Sequence, residues 1–196
     1  MTRGLRWRVL VLQVGLIGIL SFVAGFLYWA NSFTHNMERD QLSAQQIYFS
    51  PAGSKGMSAA EFPGLQQYGG QQLVNGVQAK AYADEFIGKH LEAVAGGQTY
   101  AQVSAASQAN PTDAKLAAQV QTLFRGETLR GLLLNAYGWW QVGQYAFYAA
   151  IGLTLAAIAV FGALAFELVR WRLTARQGAT AKVLTPQVGQ PHPTLS

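Results

Sequence analysis

An all-α membrane protein, with two antiparallel transmembrane helices carrying a small helical extracytoplasmic domain, is the fold class the sequence predicts, and three observations predict it. Two uncharged runs, Val9–Ala30 and Gly131–Phe166, lie toward opposite ends of the chain. The same basic and aromatic anchor borders both, Arg6-Trp7-Arg8 before the first and Arg170-Trp171-Arg172 after the second. Between the runs apolar residues recur at helical spacing, and no strand-like alternation of useful length occurs.

Composition narrows the function classes. The chain of 196 residues is 51% hydrophobic and only 12% charged, apolar for a soluble protein. Its net charge of +5 sits mainly at the ends, on Arg3, Arg6 and Arg8 and on Arg170, Arg172, Arg176 and Lys182. Basic groups that flank apolar spans follow the positive-inside rule, so nucleic acid is set aside as a partner and the lipid bilayer takes its place. The absence of cysteine excludes disulfides and thiolate metal sites.

Residues 1–8 read as a cytoplasmic tail and 9–30 as the first transmembrane helix, about 33 Å long. A cleaved signal peptide is the rival reading, with Ala30-Asn31-Ser32 as a passable cleavage site, but the apolar run is long for one and ends in Phe26, Tyr28 and Trp29. An uncleaved anchor is the expectation. The second run is too long to be only a span of about 20 residues, so the crossing is placed at 144–169. The aromatic stretch ahead of it, with Tyr137, Trp139 and Trp140, is expected at the headgroup level, joined by Tyr145 and Tyr148. Both termini then lie in the cytoplasm of a multi-pass plasma-membrane protein, and residues 31–143 form the extracytoplasmic domain.

Small residues recur on one face of each span: Gly18, Ser21 and Gly25 in the first, and Ala149, Gly152, Ala156, Ala159 and Ala163 in the second. Such faces let helix backbones approach closely in lipid. They point to packing of the two spans on each other or to docking of another protein's helices, in a partner or in a second copy.

Within 31–143 the first helix is expected to continue through Leu42, and the breaks at Ser50-Pro51-Ala52-Gly53, Phe62-Pro63-Gly64 and Tyr68-Gly69-Gly70 make residues 50–70 an ordered loop. Residues 71–95 show helical spacing, with Ala79, Tyr82, Ala83, Phe86, Ile87, His90, Leu91 and Val94 on one face, ended by Gly96-Gly97. A second helix is expected over 99–108 with Tyr100, Val103 and Ala106 inward, and a third capped by Thr112, with Leu116, Val120, Leu123 and Phe124 as its apolar face and a break or bend at Gly126. These faces are thin, so contacts with the spans, the lipid or a partner are expected to complete the core. After Arg176 the chain becomes rich in Gly, Thr, Pro and Gln; within 170–196 it reads as a mostly disordered cytoplasmic tail.

Reactive chemistry is sparse. His35, His90 and His192 are scattered, with only Glu38 one turn from His35, so no metal and no cofactor is expected. No HExxH, Walker, GxGxxG or GxSxG motif occurs. Arg125, Glu127 and Arg130 are the notable charges: they could grip lipid phosphate or an acidic loop of a partner, while an ion pair of Glu127 with Arg130 at i+3 is the simpler reading. Glu167 is expected to pair with Arg170 in the same way.

Several blocks resemble a known family. Gln45-Gln46-Ile47-Tyr48-Phe49, the stretch Phe62-Pro63-Gly64-Leu65-Gln66-Gln67-Tyr68-Gly69-Gly70-Gln71-Gln72, residues 79–91, and above all Thr122-Leu123-Phe124-Arg125-Gly126-Glu127-Thr128-Leu129-Arg130 through Tyr137-Gly138-Trp139-Trp140 are similar to small actinobacterial two-span membrane proteins of unknown function. Members often carry the label aromatic ring-opening dioxygenase. Extradiol ring cleavage by non-haem iron wants two His and a carboxylate on one metal, and 31–143 offers only His35 and His90. The resemblance therefore implies an envelope location rather than an activity. The expected function is a non-enzymatic accessory or scaffold subunit of a cell-envelope complex. The alternatives are an extracytoplasmic sensor binding a small ligand among Tyr82, Phe86, Tyr100 and Phe124, and an enzyme of unknown reaction.

Overall fold

The computed structural model describes the backbone of residues 3–184 and the side chains of residues 4–176. Among them there is no strand. The order is α1 (Arg3–Ala44), a 3₁₀ turn (Pro63–Tyr68), α2 (Gly76–Ala81), a π-helical turn (Tyr82–Ile87), α3 (Gly88–Ala95), α4 (Tyr100–Ala109) and α5 (Ala114–Leu184). The chain divides into two compact units, one of residues up to Gly25 with those from Ala150 onward, the other of Phe26–Ala149.

The first unit holds the most apolar parts of α1 and α5, and both helices are long and apolar enough to cross a membrane. Only 6% and 17% of their most apolar windows are buried, so most of that apolar surface is left uncovered by the rest of this chain. The small-residue faces expected to pack are not the covered ones. Gly18, Ser21, Gly25, Gly152, Ala156, Ala159 and Ala163 are all exposed, and a Cβ built on Gly18, Gly25 or Gly152 would meet nothing within 4 Å. Burial falls instead on Gln13, Ile17, Leu20 and Ala24 of α1 and on Ala150, Leu153, Ala157, Val160, Leu164 and Glu167 of α5. Those positions alternate steps of three and four, the period of a knobs-into-holes seam. Ala149 is likewise exposed in the second unit. Spacing identifies a face, but the bulk of Ile17, Leu20 and Leu164 against their surroundings decides which face turns inward.

The second unit owns the core: Leu42, Phe49, Met57, Phe62, Leu65, Leu73, Ala79, Ala83, Ile87, Leu91, Ala95, Val103, Leu123 and Leu133. Much of it comes from the segment between α1 and α2, where Met57, Leu65 and Leu73 are wholly buried. Backbone bonds from Phe49 to Gln71 and from Leu73 to Ile47, with an isolated antiparallel bridge of Tyr48 with Gln72, tie this loop shut. Gln66 Nε2 donates to the carbonyls of Met57 and Phe62, which also accept from the backbone amides of Gly53 and Leu65, so the side chain adds a second bond at each. Residues 71–75 thus belong to the loop, and the helix expected from 71 starts at Gly76, where Asn75 accepts from the Gln78 amide as N-cap.

The inward residues of this helical run, Ala79, Ala83, Ile87, Leu91 and Ala95, are four apart. In a pure α-helix each such step overshoots the face by about 40°. The π turn at Tyr82–Ile87, with its wider i→i+5 closure, takes up that drift. Thr99 and Gln102 form a capping box for α4, which buries Val103 while Tyr100 stays exposed. Asp113, not Thr112, caps α5: it stands immediately before Ala114, and its Oδ1 accepts from the amides of Lys115 and Leu116.

Helix α5 then runs unbroken. Gly126 does not break it; a Cβ there would stand 2.3 Å from Leu91 Cδ2, so this glycine admits α3 rather than ending a helix. The segment ahead of residue 144, expected as a distinct surface ramp, is part of the same helix, because its leucines and aromatics continue the helical repeat without proline. The helix also extends past Arg176 to Leu184, into residues expected to begin a disordered tail; 177–184 contain no proline, and the first is Pro186. The rest of that tail, from 185 and including His192, lies outside the described residues, as do the side chains of Arg3 and Lys182.

Candidate functional site

The polar groups of Phe26–Ala149 gather along the inner face of α1. Asn31, Thr34, His35 and Glu38 are spaced for one helical stripe. Asn31 Nδ2 donates to the Gly143 carbonyl at 2.9 Å and to His35 Nδ1 at 3.1 Å. That bond leaves the ring proton on His35 Nε2, which donates to the Trp140 carbonyl at 3.3 Å. The chains come this close because residue 143 is glycine: a Cβ there would lie 2.6 Å from Thr34 Oγ1. Both ring nitrogens of His35 are thus engaged within this network.

Glu38 stands apart from that network. It is 4% exposed, and neither carboxylate oxygen has a hydrogen-bond partner. A Cβ on Gly76 would lie 2.7 Å from Glu38 Oε1 and 2.4 Å from Trp140 Cβ, so the first residue of α2 is glycine where carboxylate and indole meet. Burial pushes the Glu38 carboxyl up to about 7, since desolvation disfavours its charged form. It can hold or release a proton near neutrality.

A second cluster surrounds Asp84 in the π turn. Lys80 bonds it from one turn back, and Arg130 Nη2 reaches its other oxygen at 3.3 Å. The bond from Lys80 foremost, with that from Arg130, holds the Asp84 carboxyl below the usual carboxylate range, and the same partner holds Lys80 above its own. Arg130 also pairs with Glu127 at 3.6 Å, the i+3 contact expected from spacing. Lys80 lies over the Tyr137 ring at 5.6 Å, and Tyr137 stacks on Trp140 at 6.1 Å, linking the two clusters.

The residues singled out from sequence thus separate. Arg130, Tyr137 and Trp140 turn inward; Arg125, Glu127 and Trp139 are exposed, as are Tyr145 and Tyr148. Among the rings considered for a ligand pocket, Tyr82 packs on Phe86 at 4.8 Å and Tyr100 on exposed Phe124 at 6.1 Å, two separate pairs. Sequence reasoning missed Asn31, Glu38, Lys80 and Asp84 as a group. The seven-residue interval from Asn31 to Glu38 is the one signal that could have found the first two; the Asp84–Arg130 contact joins residues too distant in sequence to show.

His90 stacks on Phe86 at 5.8 Å, away from His35, and among the described residues no three His, Cys, Asp or Glu side chains converge as a metal site would require. Comparison with protein-family models, with curated proteins and with solved structures finds no match.

Proposed function

We propose that this chain is a two-span plasma-membrane protein, both termini cytoplasmic and residues 31–143 outside, that serves as a non-enzymatic accessory or scaffold subunit of an envelope complex. The carrying observation is the uncovered apolar surface of α1 and α5, where Leu12, Ile19, Phe22, Leu155, Ile158 and Phe161 are each more than half exposed. Water would not tolerate that much contiguous apolar surface, and lipid or a partner's helices cover it. The pairs Tyr28 with Phe147, Asn31 with Gly143 and His35 with Trp140 descend on one helix as they climb on the other, which favours antiparallel spans. The Arg-Trp-Arg anchors favour cytoplasmic ends. The exposed faces of Gly18, Ser21 and Gly25 and of Gly152, Ala156 and Ala159 suit a partner's helix. The proposal places the chain with the two-span family that its sequence blocks resemble.

Because the protein has no cysteine, single cysteines report topology without background. In intact cells, Lys55→Cys, at an exposed position, should react with a membrane-impermeant maleimide and Thr174→Cys should not; the reverse pattern would overturn the orientation. Mild-detergent purification should bring a stoichiometric membrane partner. A clean single species would sink the accessory role.

A further inference from the structure

A cavity of about 910 Å³ opens within the unit formed by the start of α1 and the end of α5. That volume is in the range of small-molecule sites. Its polar lining is unevenly satisfied. Arg6 and Arg170 reach it, and among the described residues neither forms an ion pair; Arg170 instead lies over the Phe166 ring at 5.8 Å, so the pair expected between Glu167 and Arg170 does not form. Glu167 is left half-buried without a cation. Gln13 Oε1 is buried with no donor. The cavity therefore offers two cationic donors and, separately, two acceptors in need of N–H or O–H groups.

The walls say what kind of molecule brings both. Leu10, Ala163 and Leu168 are apolar, and Trp7 and Trp171, the rings of the two basic anchors, line it as well. An acyl chain fits the walls, a phosphate fits the arginines, and an ammonium with three N–H donors fits Gln13 and Glu167. A choline headgroup has no N–H to give. A glycerol headgroup has no cation for Glu167 and would set a phosphate beside an uncompensated carboxylate.

We propose that this cavity binds an ethanolamine phospholipid, with its phosphate on Arg6 and Arg170 and its ammonium on Gln13 Oε1 and Glu167. The proposal rests on the two-span reading, which puts the cavity at the cytoplasmic headgroup level.

The test uses the full chain in mild detergent, offered dioleoyl phosphatidylethanolamine, phosphatidylcholine and phosphatidylglycerol in equal amounts, with retained lipid read by native mass spectrometry. Retention of the ethanolamine lipid should exceed each of the others by about tenfold. Glu167→Gln should bring that ratio close to one, and the double variant Arg6→Gln, Arg170→Gln should release all three, with helicity by circular dichroism unchanged. Equal retention of the three lipids, an unchanged ratio in Glu167→Gln, or displacement by soluble phosphoethanolamine at matched concentration would overturn the assignment. An alkaline carbonate wash of native membranes separates the two levels. Release of the protein would sink the two-span reading; retention in the membrane without lipid preference would sink this inference alone.

Discussion

The two units use the same helices in opposite ways. In Phe26–Ala149, α1 and α5 bury Leu42, Leu123 and Leu133 among residues from the loop and from α2–α4. In the other unit the same two helices leave large apolar side chains such as Phe22 and Ile158 in the open. Composition alone would rank that more apolar unit as the better core. The difference teaches that apolar content measures the solvent a segment wants, whereas a core needs segments that can surround it, and the Pro- and Gly-rich loop supplies them here.

The sharpest way to break that comparison is truncation on each side. Leu65→Ala empties a fully buried site and should cost about 2–5 kcal/mol of stability by thermal melting in detergent, while Leu12→Ala, at an exposed position of α1, should shift the melt hardly at all. Comparable losses would mean that the two surfaces are equally covered. Glycine gives a second contrast: Gly76→Ala collides with Trp140 and Glu38 and should destabilise by about 1–3 kcal/mol, whereas Gly131→Ala, with open space around it, should gain up to about 1 kcal/mol from helix propensity.

Glu38 makes a pH-dependent prediction for the unit Phe26–Ala149 alone. Its carboxyl is raised from 4.5 to about 7 on folding, so the folded state holds the proton more tightly than the unfolded chain. Stability from this group is full below pH 4.5 and is lost as pH rises through about 7, by on the order of 3 kcal/mol. Denaturation in Glu38→Gln should be flatter across that window; an unchanged slope would assign the pH dependence elsewhere. The smallest effect concerns the start of α5: Asp113→Ala should cost about 1 kcal/mol and Thr112→Ala almost nothing, by the same melt.

Reading the chain alone reaches the two long apolar helices, the continuation of α1 toward Leu42, the α4 start at Thr99 and the Glu127–Arg130 pair, because each depends on neighbours within a turn or two or on the total length of an apolar run. It stops where distant segments meet. Gly126 looks like a helix break until Leu91 is seen against it, and residues 50–70 look like a connection until Met57 and Leu65 are found at zero exposure. Asp84 is one surface carboxylate among several until the π turn brings it to Arg130. The sequence by itself determined that these helices exist and that their apolar stretches favour a non-aqueous surrounding, since propensity and hydropathy act locally. Only the tertiary structure decided which face turns inward, which glycines are contacts and where the unpartnered carboxylate of Glu38 lies, since those depend on close approach between segments far apart along the chain.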